Sequence, residues 1–160
     1  MHTSLNLPER VGSKPETTHG LPHAQVTQHG PDDIVDQMRD WAFSLPGVDE
    51  AHSLVSVPGA RAMVMHDGAA CNHEAFMIGR EIAHIHPKPD NGSMHVQLPQ
   101  ADALEVVKKG WGEHHTLVDL SRRPVGLVMV YSPRDEAELA IIKSILGRSY
   151  EYTTGKDIAA

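Results

Sequence analysis

Residues 80–99 read REIAHIHPKPDNGSMHVQLP, and their alternation decides the architecture. Successive side chains of a β-strand point to opposite faces. Ala83 and Ile85 therefore share one face and His84 and His86 the other. On the returning run Met94, Val96 and Leu98 point one way, and His95 and Gln97 point the other. Asn91-Gly92 is a strong hairpin signal, because both residues tolerate positive φ. With that pair as a two-residue turn, Lys88 faces His95 and His86 faces Gln97. Directly opposed residues project to the same side, so the hairpin has an apolar face (Ala83, Ile85, Val96, Leu98) and a polar one (His84, His86, His95, Gln97, Lys88). A slip of one residue would send histidines into the core. In this register Glu81 falls on the apolar face, leaving Asp90 and Glu113 as the nearby carboxylates.

Outward from this hairpin, punctuation and periodicity give the remaining elements. Residues 1–30 carry Pro8, Pro15, Pro22, Gly12, Gly20 and Gly30 and too few apolar residues for a buried face, so a disordered arm is expected. A helix starts at Pro31, with Asp32 and Asp33 at its positive end and Ile34, Met38, Trp41 and Leu45 on one side. Pro46-Gly47 stops it. Residues 51–66, with Leu54, Val55 and Val57 before Pro58-Gly59 and Ala62 and Val64 after, read as another hairpin. Ala75 to His86 leads into the histidine hairpin. Asp102–Lys109 reads as a short helix turning Ala103, Leu104 and Val107 inward, with Gly110 ending it. Val125–Tyr131 reads as a central strand. Ser132 as cap and Pro133 at the first helical position open a last helix burying Leu139, Ile142 and Leu146, closed by Gly147. The expectation is an α+β domain over 31–150: an antiparallel sheet of two hairpins plus a central strand, packed by helices on one face in two layers, with a C-terminal tail at 151–160.

Composition narrows the function classes. The chain has 160 residues, 40% hydrophobic and 22% charged, an ordinary globular balance. Its net charge of −7, without basic stripes, disfavours nucleic acid and anionic lipid surfaces. The apolar runs are too short to span a bilayer, and MHTSLNLPERVGSKPE lacks a signal-peptide core. One cysteine, Cys71, fits a reducing compartment, so a cytoplasmic location is expected, with Cys71 itself inert. Histidine is the anomaly: there are twelve, four of them (His2, His19, His23, His29) in the arm. His52, His66 and His73 read as structural or surface residues.

Three imidazoles at cross-strand spacing can converge on one small ligand or ion. Two histidines flanking one residue on a strand share a face, an arrangement that suits metal ligation. His84, His86 and His95 are thus candidate catalytic bases, or alternatively ligands to a single divalent metal; no organic cofactor is implied. Gly110-Trp111-Gly112-Glu113-His114-His115 forms a second cluster. There Trp111 offers a plane for an aromatic ligand or else anchors the helix end, while Glu113 and His115 add acid–base groups. Arg134 stands at a helix start, a poor place for a cation. It serves a ligand anion or pairs with Asp135 or Glu138.

The runs HIHPKPDNGSMHVQLP, GWGEHH and VMVYSPRDEAEL together resemble the luciferase-domain family, named after fungal bioluminescence enzymes, over residues 75–147. The namesake enzymes oxidise a hydroxylated styryl-pyrone with molecular oxygen, without flavin or nucleotide, through a peroxide that loses carbon dioxide. Their membrane segment has no counterpart among the apolar runs here. The resemblance implies site residues His84, His86, Pro87, Asp90, Gly92, Ser93 and His95, then Trp111, Gly112, Glu113 and His115, then Tyr131, Pro133 and Arg134. It implies a small-molecule oxygenase acting on a planar enolisable or aromatic substrate. His84, His86, His95, Glu113, His115 and Arg134 would be its catalytic groups, and Trp111, Asp90, Ser93, Gln97 and Tyr131 its ligand contacts. A metal-dependent enzyme of other chemistry and a non-catalytic binding module use the same residues.

Overall fold

The computed structural model describes residues 4–69, 72–116 and 126–158. His2, Cys71 and Val125, where the central strand was expected to begin, lie outside the described residues. Helix α1 (Asp32–Ser44) follows Pro31, whose extended backbone leads in without a side-chain cap, and it buries Ile34, Val35, Met38 and Ala42. Gly47, at φ +80°, turns the chain into β1 (Val48–His52), which pairs with β2 (Arg61–Met65) as the first hairpin. Leu54 and Val55, expected within a strand, are exposed in the connecting loop. A single 3₁₀ turn at His73–Ala75, capped by Asn72 accepting from the Glu74 N–H, occupies the expected start of the next strand. Strand β3 (Glu81–Ile85) follows, then β4 (Met94–Gln97), α2 (Gln100–Lys108), β5 (Gly112–His114), β6 (Leu127–Val130) and α3 (Glu136–Thr154).

The six strands form one antiparallel sheet in the order β1-β2-β3-β4-β6-β5, an α+β architecture. β6 is interior as expected; β5, within the Gly110–His115 cluster to which no strand was assigned, is an edge strand. Ala83, Ile85, Met94, Val96, Val128 and Val130 turn toward α1 and α3 and share one core with Ile34, Met38, Leu139, Ile142 and Leu146.

Three details of the helices differ from expectation. In α2 the buried apolar residues are Ala103 and Val106, while Leu104 is 47% exposed. The cap of α3 is Asp135, whose carboxylate accepts from the Glu138 N–H at 2.8 Å. Ser132 is occupied elsewhere, accepting from Gly30 N and donating to the Asn91 carbonyl. Gly147 does not end α3; a Cβ there would lie 2.8 Å from Ile158 Cδ1, so glycine makes room for the returning C-terminus. The terminator is Gly155, in the left-handed conformation at φ +69°.

The N-terminal segment is the largest correction. Residues 4–30 are packed against the domain rather than free of it. Leu7 is buried, Leu5 N donates to buried Asp102, and the Trp111 indole donates to the Pro8 carbonyl at 2.7 Å. Farther along, His23 and Gln25 are buried on the sheet face opposite α1 and α3. Sparse apolar residues did not prevent docking, because the segment binds largely through polar contacts. Among the described residues no helix is long and apolar enough to cross a membrane.

Candidate active site

His84 lies directly opposite His95 in the β3–β4 ladder, and Ile85 opposite Met94. The expected pairing of His86 with Gln97 is therefore displaced by a whole pleat on each strand. An even displacement preserves faces, so His84, His86 and His95 still share one side and Ile85 and Val96 the other. The turn is longer than Asn91-Gly92 because only Gly92 takes positive φ, at +93°. Pro87 and Pro89 also have no N–H for a ladder. The loop closes instead with His86 N donating to the Ser93 carbonyl at 2.8 Å and Gly92 N to that of His86 at 3.2 Å.

Inside this loop Asp90 gathers donors. Its Oδ2 is 3.0 Å from His86 Nδ1, accepts from Ser93 Oγ at 2.7 Å and accepts from Gln25 N of the N-terminal segment at 3.0 Å. Burial would raise this carboxyl, but the His86, Ser93 and Gln25 contacts hold it below its ordinary value. Asp90 and Ser93 thus fix the His86 ring.

A second carboxylate reaches the histidines by a route the alternation conceals. The β2–β3 register shifts between Met63 and Val64: Met63 pairs with Ala83, but Val64 pairs with Glu81. This β-bulge inserts Ile82 into the core and turns Glu81 onto the histidine face. Glu81 Oε1 lies 2.8 Å from His84 Nδ1 and accepts from Ser53 Oγ, and its Oε2 accepts from Leu54 N. Burial opposes the charge, yet these contacts keep the carboxyl below its ordinary value.

The N-terminal segment supplies a fourth imidazole. His84 Nε2 meets His95 Nδ1 at 2.9 Å, and His95 Nε2 meets His23 Nδ1 at 3.1 Å. His23 Nε2 faces Glu113 Oε1 at 3.7 Å, and Lys14 donates to the other Glu113 oxygen at 3.2 Å. The His115 ring stands 4.4 Å from that of His95, centroid to centroid. In the sequence His23 falls in the arm expected to be disordered, and no local motif marks it; what identifies it is the docking of the segment around it.

These rings wall a cavity of about 680 Å³. His23, His86, His95, His115 and Asp90 form one side, and Leu21, Pro22, Val55, Val57, Pro58 and Pro87 supply apolar surface. Burial lowers the pKa of His84, and it lowers that of His95 well below the ordinary imidazole value, with the neighbouring rings adding to the effect. Both imidazoles are accordingly neutral near pH 7, with lone pairs available to take a proton or bind a cation.

Comparison with known proteins shows what this hairpin is similar to. Residues 79–149 match the luciferase domain. Luciferases of Armillaria mellea (41% identical over 86 residues, 50% of this chain and 32% of the relative), Armillaria gallica (40% over 77, 47% and 29%) and Neonothopanus nambi (38% over 77, 47% and 28%) are similar to it. The chain thus spans about a third of the length of these relatives. No solved structure matches. The luciferase-domain match includes β3, β4 and the histidine loop, and it leaves out the segment that carries His23.

Not every expected site residue reaches the cavity. His115 does, beside His86 and His95. Glu113 contacts the network through His23 but borders a separate cavity of about 160 Å³ with Tyr131 and Arg10. Trp111 is a core anchor, buried with its indole N–H on Pro8, and presents no plane to the histidines. Arg134 is bound to Glu138, the Val11 carbonyl and Gln28, away from the cavity wall. Gln97 lies on the histidine face, and its carbonyl accepts from Ser149 Oγ, but it does not line the cavity either. Tyr131, whose pKa burial raises, packs under the Arg10 guanidinium.

Proposed function

We propose that this chain is a small-molecule oxygenase that takes a planar, enolisable substrate into the histidine-walled cavity. The observation that carries the reading is the cavity itself, lined by imidazoles, with His95 held neutral by burial, and by apolar residues. Its volume of about 680 Å³ falls in the range of small-molecule sites. An apolar wall holds the ring system and a histidine takes the enol proton, leaving an electron-rich enolate. That enolate supplies both electrons to molecular oxygen, forming a carbon–oxygen bond and a peroxide anion without an external reductant. His115 is the base this geometry favours. It is at the wall and partly exposed, so it can return the proton to water, whereas His84 and His95 are buried. Arg134 is too far from the cavity wall to stabilise the peroxide; a protonated ring of the network takes that part.

Oxygen uptake by the purified chain, with a hydroxylated styryl-pyrone and simpler hydroxypyrones as probes, tests the reading. Consumption should follow protein concentration, and His115→Ala should lower kcat about 100-fold, the scale of a lost general base. Probes that bind without any oxygen uptake would make the chain a binding module and end the proposal.

A further inference from the structure

The hydrogen-bond partners of the three central histidines fix where their protons sit. Glu81 Oε1 already accepts from Ser53 Oγ, and Asp90 Oδ2 from Ser93 Oγ and Gln25 N, so both oxygens act as acceptors toward the rings. His84 and His86 therefore each place a proton on Nδ1, at 2.8 and 3.0 Å from those oxygens. A neutral imidazole has only one N–H, so in that form each ring presents Nε2 as a lone pair. One nitrogen from each of His84, His86 and His95 lies within 4.8 Å of the others.

The line from Glu81 through His84, His95 and His23 to Glu113 then runs short of a proton. It has four gaps, bridged at 2.8, 2.9, 3.1 and 3.7 Å, and three imidazoles, which in their neutral forms carry one N–H each. Starting from Glu81, His95 gives its Nδ1–H to His84, and His23 gives its Nδ1–H to His95. His23 Nε2 is left as an acceptor facing the acceptor Glu113 Oε1, and both atoms are buried without a hydrogen-bond partner. A cation placed on the His84 and His95 lone pairs reverses this order. His95 then donates from Nε2 to His23, and His23 donates from Nε2 to Glu113, so every gap holds one proton or the cation.

We infer that His84 Nε2, His86 Nε2 and His95 Nδ1 bind one divalent transition-metal ion, with Glu81, Asp90 and the His23–Glu113 pair as outer partners of the three ligands. Metal-bound histidines characteristically donate their second N–H to a carboxylate or similar acceptor, which orients the ring. Tetrahedral binding at about 2.0–2.1 Å places ligand nitrogens about 3.3 Å apart, so the 2.9 Å between His84 and His95 need open only slightly. Three imidazoles suit zinc, iron, copper or nickel over magnesium or calcium. Three protein ligands leave a position open. His86 and His95 border the cavity, so that position is available to a substrate oxygen. For this role in turnover the centre rests on the oxygenase reading; the binding rests on the histidine geometry alone.

The test is a Co²⁺ titration of the full chain, freed of any affinity tag and stripped with a chelator, followed by visible absorption and calorimetry. One equivalent should bind with micromolar or tighter affinity and give the bands of nitrogen-coordinated cobalt. His86→Gln and His95→Gln should weaken it at least 100-fold, and Glu81→Gln and Asp90→Asn about 10- to 100-fold. Circular dichroism checks that each variant is folded, and the unsubstituted chain decides the matter if one is not. No saturable binding by the folded chain would overturn the inference, as would affinity unchanged in folded His86→Gln. A stripped protein with an extra histidine proton at pH 7 by ¹⁵N NMR and no cobalt binding would replace the metal with an imidazolium. Because the readout is binding, its failure is separate from failure of the oxygen-uptake assay.

Discussion

On one side of β3, Ala83 and Ile85 pack against α1 and α3 in an apolar core; on the other, Glu81 and His84 are as deeply buried. Glu81 lies against Ser53 and Leu54, and His84 against His95, which the polar N-terminal segment covers through His23. The two faces share a backbone and a degree of burial but are held by different physics. The apolar face is stabilised by area removed from water and by packing, both indifferent to protonation. The histidine face depends on a closed set of donors and acceptors, in which each buried group left unmatched costs about 1–3 kcal/mol. Such a face is stable only while its cover is in place and its protons are correctly distributed.

Removing residues 1–29 is the largest perturbation available to this comparison. It would take away buried Leu7, worth about 2 kcal/mol. It would also leave Trp111 Nε1 without its acceptor and take one partner each from Asp102, Asp90 and His95. Together these should destabilise the domain by about 5 kcal/mol in chemical denaturation. A truncated chain that melts like the full one would show the histidine face to be an open wall needing no cover.

A smaller and cleaner contrast comes from single substitutions on the two faces. Ile85→Ala leaves a cavity in the core and should cost about 2–5 kcal/mol. Cobalt binding and oxygen uptake per folded molecule should stay near the original level, since Ile85 points away from His84. His86→Gln should do the reverse, removing activity at a smaller cost in stability. Equal damage to both properties from Ile85→Ala would mean that the faces are not independent.

How much of this arrangement is legible in the sequence follows from the same contrast. Alternation shows which residues of 83–86 and 94–97 share a face, because the period of a strand survives any even shift in register. It cannot show the register itself, which here is set by Asp90 collecting Ser93, His86 and Gln25 inside a loop that looks like an Asn-Gly turn. Glu81 was placed on the wrong face because a bulge breaks the phase, and a bulge depends on the partner strand. The spacing of Ile82 and Ile85, with His84 between, is compatible with that break but does not require it. His23 is the hardest case. Its part in the site depends on contacts more than seventy residues away, and polar docking leaves no apolar periodicity to read. Trp111 between two glycines suggested an exposed plane equally with an anchor; the Pro8 carbonyl decides for the anchor.

Glu113 gives the smallest expected effect and the sharpest test of the difference between the faces. It is opposite Met129 on the edge of the sheet, where burial would raise its pKa, but His23, donating from Nε2 as in the cation-bound order, Thr17 and Lys14 hold it down to about 2. A carboxyl whose folded pKa lies below its ordinary 4.5 binds protons less readily folded than unfolded. Its stabilisation is therefore complete above pH 4.5 and is lost as the pH falls from there toward 2. Glu113→Gln should cost about 1–2 kcal/mol at pH 7, less than the full shift implies because Lys14 is largely in water. Near pH 3 that difference should shrink to a few tenths, since the original chain then loses much of the same stabilisation. The loss from Ile85→Ala should be the same at both pH values, because no charge is involved. Denaturation curves of the two variants and the original chain at pH 7 and pH 3 provide the check. A Glu113→Gln deficit that persists undiminished at pH 3 would mean that Glu113 acts there by shape and hydrogen bonding, with the charge contributing nothing.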